Sequence, residues 1–143
     1  MTREIVLAVE VKSDAHTVYE AVTTQEGLTA FWTPQVTATP EVGATLRFGF
    51  EQAPAELEMT VDALEPGGRV MWSCAGPWPD WTGTDVEWRL DEVEGGTRVL
   101  LRHTGWDDGF DDSSLGAVSF SWALVLGALN SFAESGTPQP ALR

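Results

Sequence analysis

The residues of this chain that could carry chemistry are two histidines, one cysteine, scattered carboxylates and a large set of aromatic rings. His103 ends an alternating run, Val99, Leu101, His103, whose other face is Arg98, Leu100 and Arg102. That period of two places its imidazole on the apolar side of a strand. An inward imidazole can hydrogen-bond a ligand head group or serve as a general base near neutral pH. No partner stands at catalytic spacing in the sequence, so His103 equally reads as a histidine held by hydrogen bonds at the end of a sheet. It is the one weak catalytic candidate, working with a carboxylate or Tyr19. His16 lies early in a helical stretch among polar neighbours and is expected at the surface. Cys74 falls within a strand pattern and reads as a small buried hydrophobe. As the single cysteine it excludes an intrachain disulfide.

Other chemistries find little support. One Cys and two distant His do not make a zinc pattern. The acidic segment Asp107-Asp108-Gly109-Phe110-Asp111-Asp112 lacks the alternating ligands and terminal Glu of a calcium loop, and reads as solvated charge plus helix capping. Ser73 and Cys74 have no nearby His and no nucleophile elbow. Asp85 and Glu87 share the polar face of their strand, so paired-carboxylate catalysis is not expected there. Both glycine pairs, Gly67-Gly68 and Gly95-Gly96, are hairpin turns rather than phosphate loops. No metal and no cofactor is expected.

The aromatic set is the strongest chemical signal. Trp32, Phe48, Phe50, Trp72, Trp88 and Trp122 fall on faces assigned inward, and Met59 joins them. Each ring alone can be ordinary core packing. Together, across a curved sheet and a long helix, large rings tend to leave gaps, and ring-lined gaps bind apolar ligands. Trp78, Trp81 and Trp106 are read as loop residues at the rim of a pocket mouth or partner interface.

The elements that must position these groups follow from the same periodicities. Ile5, Leu7, Val9 and Val11 form the apolar face of a first strand. Ser13 or Asp14 caps a helix with Ala15, Val18, Tyr19 and Val22 buried. A second short helix buries Leu28, Phe31 and Trp32 and ends at Pro34. From Val36 onward the period is two: Leu46-Phe48-Phe50, Leu57-Met59-Val61-Ala63, Val70-Trp72-Cys74, Val86-Trp88-Leu90 and Val99-Leu101-His103. Short connections make this an antiparallel meander with one covered face. Thr104 to Asp112 is the final loop, expected to be mobile and to narrow the pocket with Trp106.

Ser113 to Glu134 is one long helix whose stripe is Leu115, Val118, Trp122, Val125, Leu129 and Phe132. Phe120, Leu124 and Leu126 add apolar surface outside it, and no charge occurs between Asp112 and Glu134. Such a helix is expected to be enclosed on most of its circumference, with Gly127 at a close contact. Gly136 and Pro138 stop it. A single domain of 1-136 is expected, followed by a loose tail, 137-143.

Composition bounds the rest. With 143 residues, 43% hydrophobic and seven Trp, the chain can build one core. Its net charge of −14, from 8 basic and 22 acidic residues, opposes nucleic acid and anionic membranes. The last helix is long enough to span a bilayer, but Ser119, Ser121, Asn130 and Ser131 and its acidic flanks argue against membrane insertion. The first residues carry no signal-peptide pattern, so a cytoplasmic location is the default. The pattern assigns no oligomeric state.

The order of strand, two helices, antiparallel strands and long terminal helix resembles the helix-grip fold of the START/Bet v 1-like (SRPBCC) superfamily. Residues 13–24 (SDAHTVYEAVTT), then Glu26-Gly27-Leu28 and Phe31-Trp32, carry a closer resemblance to the bacterial activator of Hsp90 ATPase homologue 1-like (AHSA1-like) family. Residues 98–106 (RVLLRHTGW) and 129–136 (LNSFAESG) add to it, with Ser121-Trp122 where members often have Gly-Trp. The resemblance implies an α+β helix-grip domain. The expected function is non-covalent binding of a small hydrophobic or amphiphilic molecule between sheet and helix. The expected ligand-binding residues are Trp32, Phe48, Phe50, Met59, Trp72, Trp88, His103, Trp106, Trp122 and Leu126. A cavity of ~300–1,000 Å³ would be usual. The alternative is a cyclase- or hydrolase-type enzyme using His103 in the same cavity. A third is co-chaperone-like protein interaction, which the family name suggests and no extra domain or basic surface here supports.

Overall fold

A computed structural model describes residues 3–143; Met1 and Thr2, the start of the expected domain, lie outside the described residues. The elements are β1 (Arg3–Val11), α1 (Ala15–Thr23), α2 (Gln25–Phe31), β2 (Gln35–Thr37), β3 (Thr45–Gly49), β4 (Leu57–Glu65), β5 (Arg69–Gly76), β6 (Asp85–Val93), β7 (Gly96–Trp106) and α3 (Asp112–Ser135). Seven strands form one antiparallel sheet in the order β1-β7-β6-β5-β4-β3-β2. Only β1 is out of sequence, and pairing with β7 brings it next to the last strand. This is the expected helix-grip arrangement.

Alternation in the sequence becomes alternation in burial. On β6, Val86, Trp88 and Leu90 are buried while Asp85, Arg89 and Asp91 are exposed; on β7, Val99, Leu101 and His103 are buried and Arg98 and Arg102 exposed. A register shift between Val61 and Ala63 ends the regular alternation of β4. On the outer face Glu87 pairs with Arg69 at 2.7 Å and Arg89 at 3.3 Å. Asp14 caps α1, its carboxylate accepting from the Thr17 N–H at 2.7 Å, and Asp111 caps α3 through the Ser114 N–H at 3.0 Å. These charge-assisted bonds hold both carboxyls below the usual range. Gly136, at φ 74°, closes α3 in the left-handed conformation that glycine adopts without steric cost.

Four expectations need correction. First, α3 is not enclosed on most of its circumference. Leu115, Trp122, Val125, Leu126 and Leu129 are buried, but Phe120 is 66% and Leu124 44% exposed. The helix is long and apolar enough to cross a membrane by length and composition alone, yet only one of its faces packs on the domain. Second, a Cβ on Gly127 would meet nothing within 4 Å, so that glycine faces open space. Third, β7 runs through to Trp106, which is fully buried and in a strand, not in a loop at a mouth. Fourth, the tail is docked. Gln139, Ala141 and Leu142 donate backbone N–H groups to the carbonyls of Ala30, Phe31 and Trp32, and Glu51 N–H donates to the Arg143 carbonyl. The last turn of α2 leaves carbonyls without helical partners, and residues 139–142 supply the donors.

Candidate functional site

His103 is fixed by three consecutive hydrogen bonds. The Trp122 indole N–H donates to Nδ1 at 3.1 Å. The ring proton therefore resides on Nε2, which donates to Thr84 Oγ1 at 2.8 Å. Thr84 Oγ1 in turn donates to the Trp81 carbonyl at 2.6 Å. His103 and Thr84 are buried at 0% and 1% exposure, and burial pushes the imidazole pKa down to about 3. The ring is a neutral strut between sheet and helix, both nitrogens satisfied by protein. Tyr19 lies in the first-helix core at 9% exposure, its phenol pushed up by burial. Burial likewise raises the Cys74 thiol to about 11.

The strut locates the β5–β6 connection. Residues 77–84 fold back in a compact turn: Trp81 and Thr82 N–H donate to the Trp78 carbonyl, and Gly83 N–H to the Cys74 carbonyl. The turn carries Trp78 and Trp81 inward. Trp78 donates its indole N–H to the Ala55 carbonyl at 2.9 Å and lies 5.6 Å from Phe50. Trp81 sits edge-on to Trp78 at 5.4 Å, to His103 at 4.9 Å and to Trp106 at 5.5 Å.

Between this turn, α2, α3 and the tail lies a cavity of about 160 Å³. Its walls are Trp32, Phe50, Leu57, Trp78 and Trp81 on one side and Val118, Ser121, Trp122 and Val125 of α3 on the other. Leu142 of the tail completes it. Four indoles line the space, and Ser121 supplies the only hydroxyl among these residues.

Three expected ligand-binding residues, Trp32, Phe50 and Trp122, line this cavity. The others lie around it in packed structure. Phe48, Met59, Trp72, Trp88, His103 and Trp106 are 0–1% exposed, Leu126 is 3%, and none belongs to the lining. Trp72 and Trp88 are diagonal rather than opposite, since Val70 pairs with Trp88 and Trp72 with Val86; their rings meet edge-on at 5.7 Å. Trp32 closes the same cluster at 4.6 Å from Phe48 and 4.9 Å from Trp122. Trp106 stacks on Phe110 at 4.9 Å and 13°. Rings expected to surround a gap thus fill it, and the remaining void is shifted toward the 77–84 turn and the tail. It is also smaller than expected. The lining residues that sequence reasoning missed are Leu57, Val118, Ser121, Val125 and Leu142, while Trp78 and Trp81, read as loop residues at the rim of a pocket mouth or partner interface, stand in the cavity wall. Val118 and Val125 stood in the helix stripe, and the two loop tryptophans were already unusual for a solvated surface. Among the described residues no three His, Cys, Asp or Glu side chains are grouped to hold a metal.

Comparisons place this geometry among known proteins. A search of curated proteins finds no match. Among solved structures, the solution structure of the Aha1 dimer from Colwellia psychrerythraea shares 29% identity and a TM-score of 0.84, covering 94% of this chain and 98% of that one. Protein SSP2350 from Staphylococcus saprophyticus shares 23% identity and a TM-score of 0.80, with 96% of each chain covered. CalU16 from Micromonospora echinospora shares 22% identity and a TM-score of 0.73, over 97% of this chain and 78% of that one. The last two likenesses speak for the fold alone. The family model described as activator of Hsp90 ATPase homolog 1-like protein matches residues 12–134. With the fold and nearly the whole length in agreement, the chain belongs to the activator of Hsp90 ATPase homolog 1-like family.

Proposed function

We propose that this protein binds one small, flat, apolar molecule in the cavity between α3, the 77–84 turn and the tail. The observation that carries the reading is the lining itself: four indoles, aliphatic side chains and one hydroxyl around about 160 Å³. Dry apolar cavities of ~150 Å³ bind benzene-sized ligands. A molecule between benzene and indole in size fits without rearrangement, and anything larger requires the tail or the turn to move. Burying ~200 Å² of ligand surface at ~25 cal/mol per Å² gives about 5 kcal/mol, a Kd near ~0.2 mM before further polar contacts. Ser121 is placed to accept or donate one hydrogen bond to a ligand edge.

Binding is favoured over an enzyme acting through His103. That imidazole is neutral, off the cavity wall, and its only acceptor nitrogen is taken by Trp122, so it has no lone pair with which to take a proton. Quenching of Trp fluorescence by a titrated apolar probe tests the proposal. Saturation in the wild type and its loss in Ser121→Phe, which fills the cavity, are the expected results. Unsaturable quenching, or equal binding by the variant, contradicts them.

A further inference from the structure

The outer face of α3 is exposed, apolar and uncharged, and its residues are complementary to themselves. Phe120, 66% exposed, is a projecting knob. Seven residues on, about 10.5 Å along the helix, Gly127 opens a notch: nothing lies within 4 Å of where its Cβ would be. The notch belongs to a groove of about 220 Å³ whose walls include Leu124, Ser131, Pro140 and Ala141. Gly116 likewise faces open space. A glycine inside a helix costs about 1 kcal/mol relative to alanine, and no contact within the described residues offsets that cost at either position.

We propose that this face pairs with the same face of a second copy of the chain, the two α3 helices running antiparallel about a two-fold axis between Ala123 and Leu124. That axis sets Phe120 of each copy over Gly127 of the other, Ala123 against Leu124, and Gly116 against Ser131. Both knobs seat in both grooves, which is the self-complementarity an isologous interface requires. Charge selects the same surface. Each chain carries −14, so two copies repel over most of their area. From Ser113 to Ala133 α3 presents no charge, so the centre of the interface is neutral. The same axis brings Glu134 of each copy to Ser113 of the other, beside Asp112, and this acidic pair at each end is the repulsion that salt screens. The stripe with its tail edge offers roughly 500 Å² per partner, about 1,000 Å² in total, the lower limit for a specific interface. The dimer should therefore be micromolar and should tighten as salt screens the repulsion. The same negative charge, without a basic residue on the face, disfavours an anionic lipid surface as occupant.

Sedimentation equilibrium of the full chain from about 1 to about 200 µM, a range that spans such affinities, reads the outcome. The wild type should show a monomer–dimer equilibrium strengthened by NaCl. Phe120→Glu should raise the dimer Kd at least ~30-fold with unchanged circular dichroism and melting. Gly127→Leu, whose added Cβ meets nothing within 4 Å, should do the same by filling the notch. Ala123→Cys should form an interchain disulfide on oxidation, while the wild type, with Cys74 buried, should not. A wild type monomeric throughout, a dimer indifferent to both substitutions, or a dimer that Ala123→Cys fails to cross-link overturns the proposal. So does wild-type binding to phosphatidylcholine vesicles that Phe120→Glu abolishes, which would assign the face to lipid.

Discussion

Replacing His103 by glutamine should remove most of the pH dependence of stability between pH 7 and pH 5. In the folded protein the imidazole has a pKa of about 3, against 6.5 for an unperturbed histidine. Below pH 6.5 the unfolded chain takes up a proton that the folded chain refuses, so the unfolded state binds more protons and stability falls with pH. The contribution is fully present above pH 6.5 and is lost progressively as pH falls toward 3. At about 1.4 kcal/mol per pH unit per proton, integration from pH 7 to pH 5 gives a loss of about 2 kcal/mol. With ~2.1 cal/mol/K of unfolding entropy per residue, a chain of 143 residues should lose about 6–7 °C in Tm over that interval. Glu87, Asp14 and Asp111, whose carboxyls are held low, lose their contributions at lower pH. Asp85, raised by burial, acts with the opposite sign. All four persist in His103→Gln, so the difference between the two proteins isolates His103. Urea unfolding followed by Trp fluorescence at pH 7, 6 and 5 is the assay. A flat wild-type profile, or a slope that survives in His103→Gln, would refute the neutral, fully bonded imidazole.

Other consequences can be checked singly. Trp81→Ala should weaken binding of an apolar probe more than Trp88→Ala, because Trp81 lines the cavity and Trp88 does not. Trp88→Ala, emptying a fully buried site, should instead cost about 3–5 kcal/mol in chemical denaturation. Cys74 should resist alkylation at pH 8 in the native state and react on unfolding, since its thiol is raised to about 11 and buried. Removing residues 138–143 should speed probe association in stopped-flow mixing, because Leu142 forms one wall of the cavity; an unchanged rate would mean the tail does not limit access.

The fold was legible because it depends on face assignment. Val99, Leu101 and His103 alternate with arginines, and a period of two can only mean one face in and one out. The inward direction of His103 and the stripe of α3 followed directly. What the pattern does not encode is the partner opposite each face. His103 faces Trp122 and Thr84, and this pairing depends on the return of the 77–84 turn, whose geometry rests on local carbonyl bonds such as Trp81 N–H to Trp78. The tail looked loose because Pro138 and Pro140 disfavour regular structure, whereas its order comes from unpaired carbonyls at the end of α2. The enclosure of α3 was overestimated because an apolar surface specifies burial without naming the molecule that provides it. The cavity is a small difference between the volume of the shell and that of its rings, so Phe48, Trp72 and Trp88 could be assigned inward correctly and still pack solidly.

The central claim is that the void beside Trp81 is a binding site. The most direct measurement is a titration of ¹⁵N-labelled protein with unlabelled indole, following the indole N–H signals of the seven tryptophans by NMR. The account predicts saturable shifts at Trp32, Trp78, Trp81 and Trp122, small ones at Trp72 and Trp88, and loss of saturation in Ser121→Trp. Shifts that never saturate, that spread evenly over all the tryptophans, or that persist in the filled variant would contradict it.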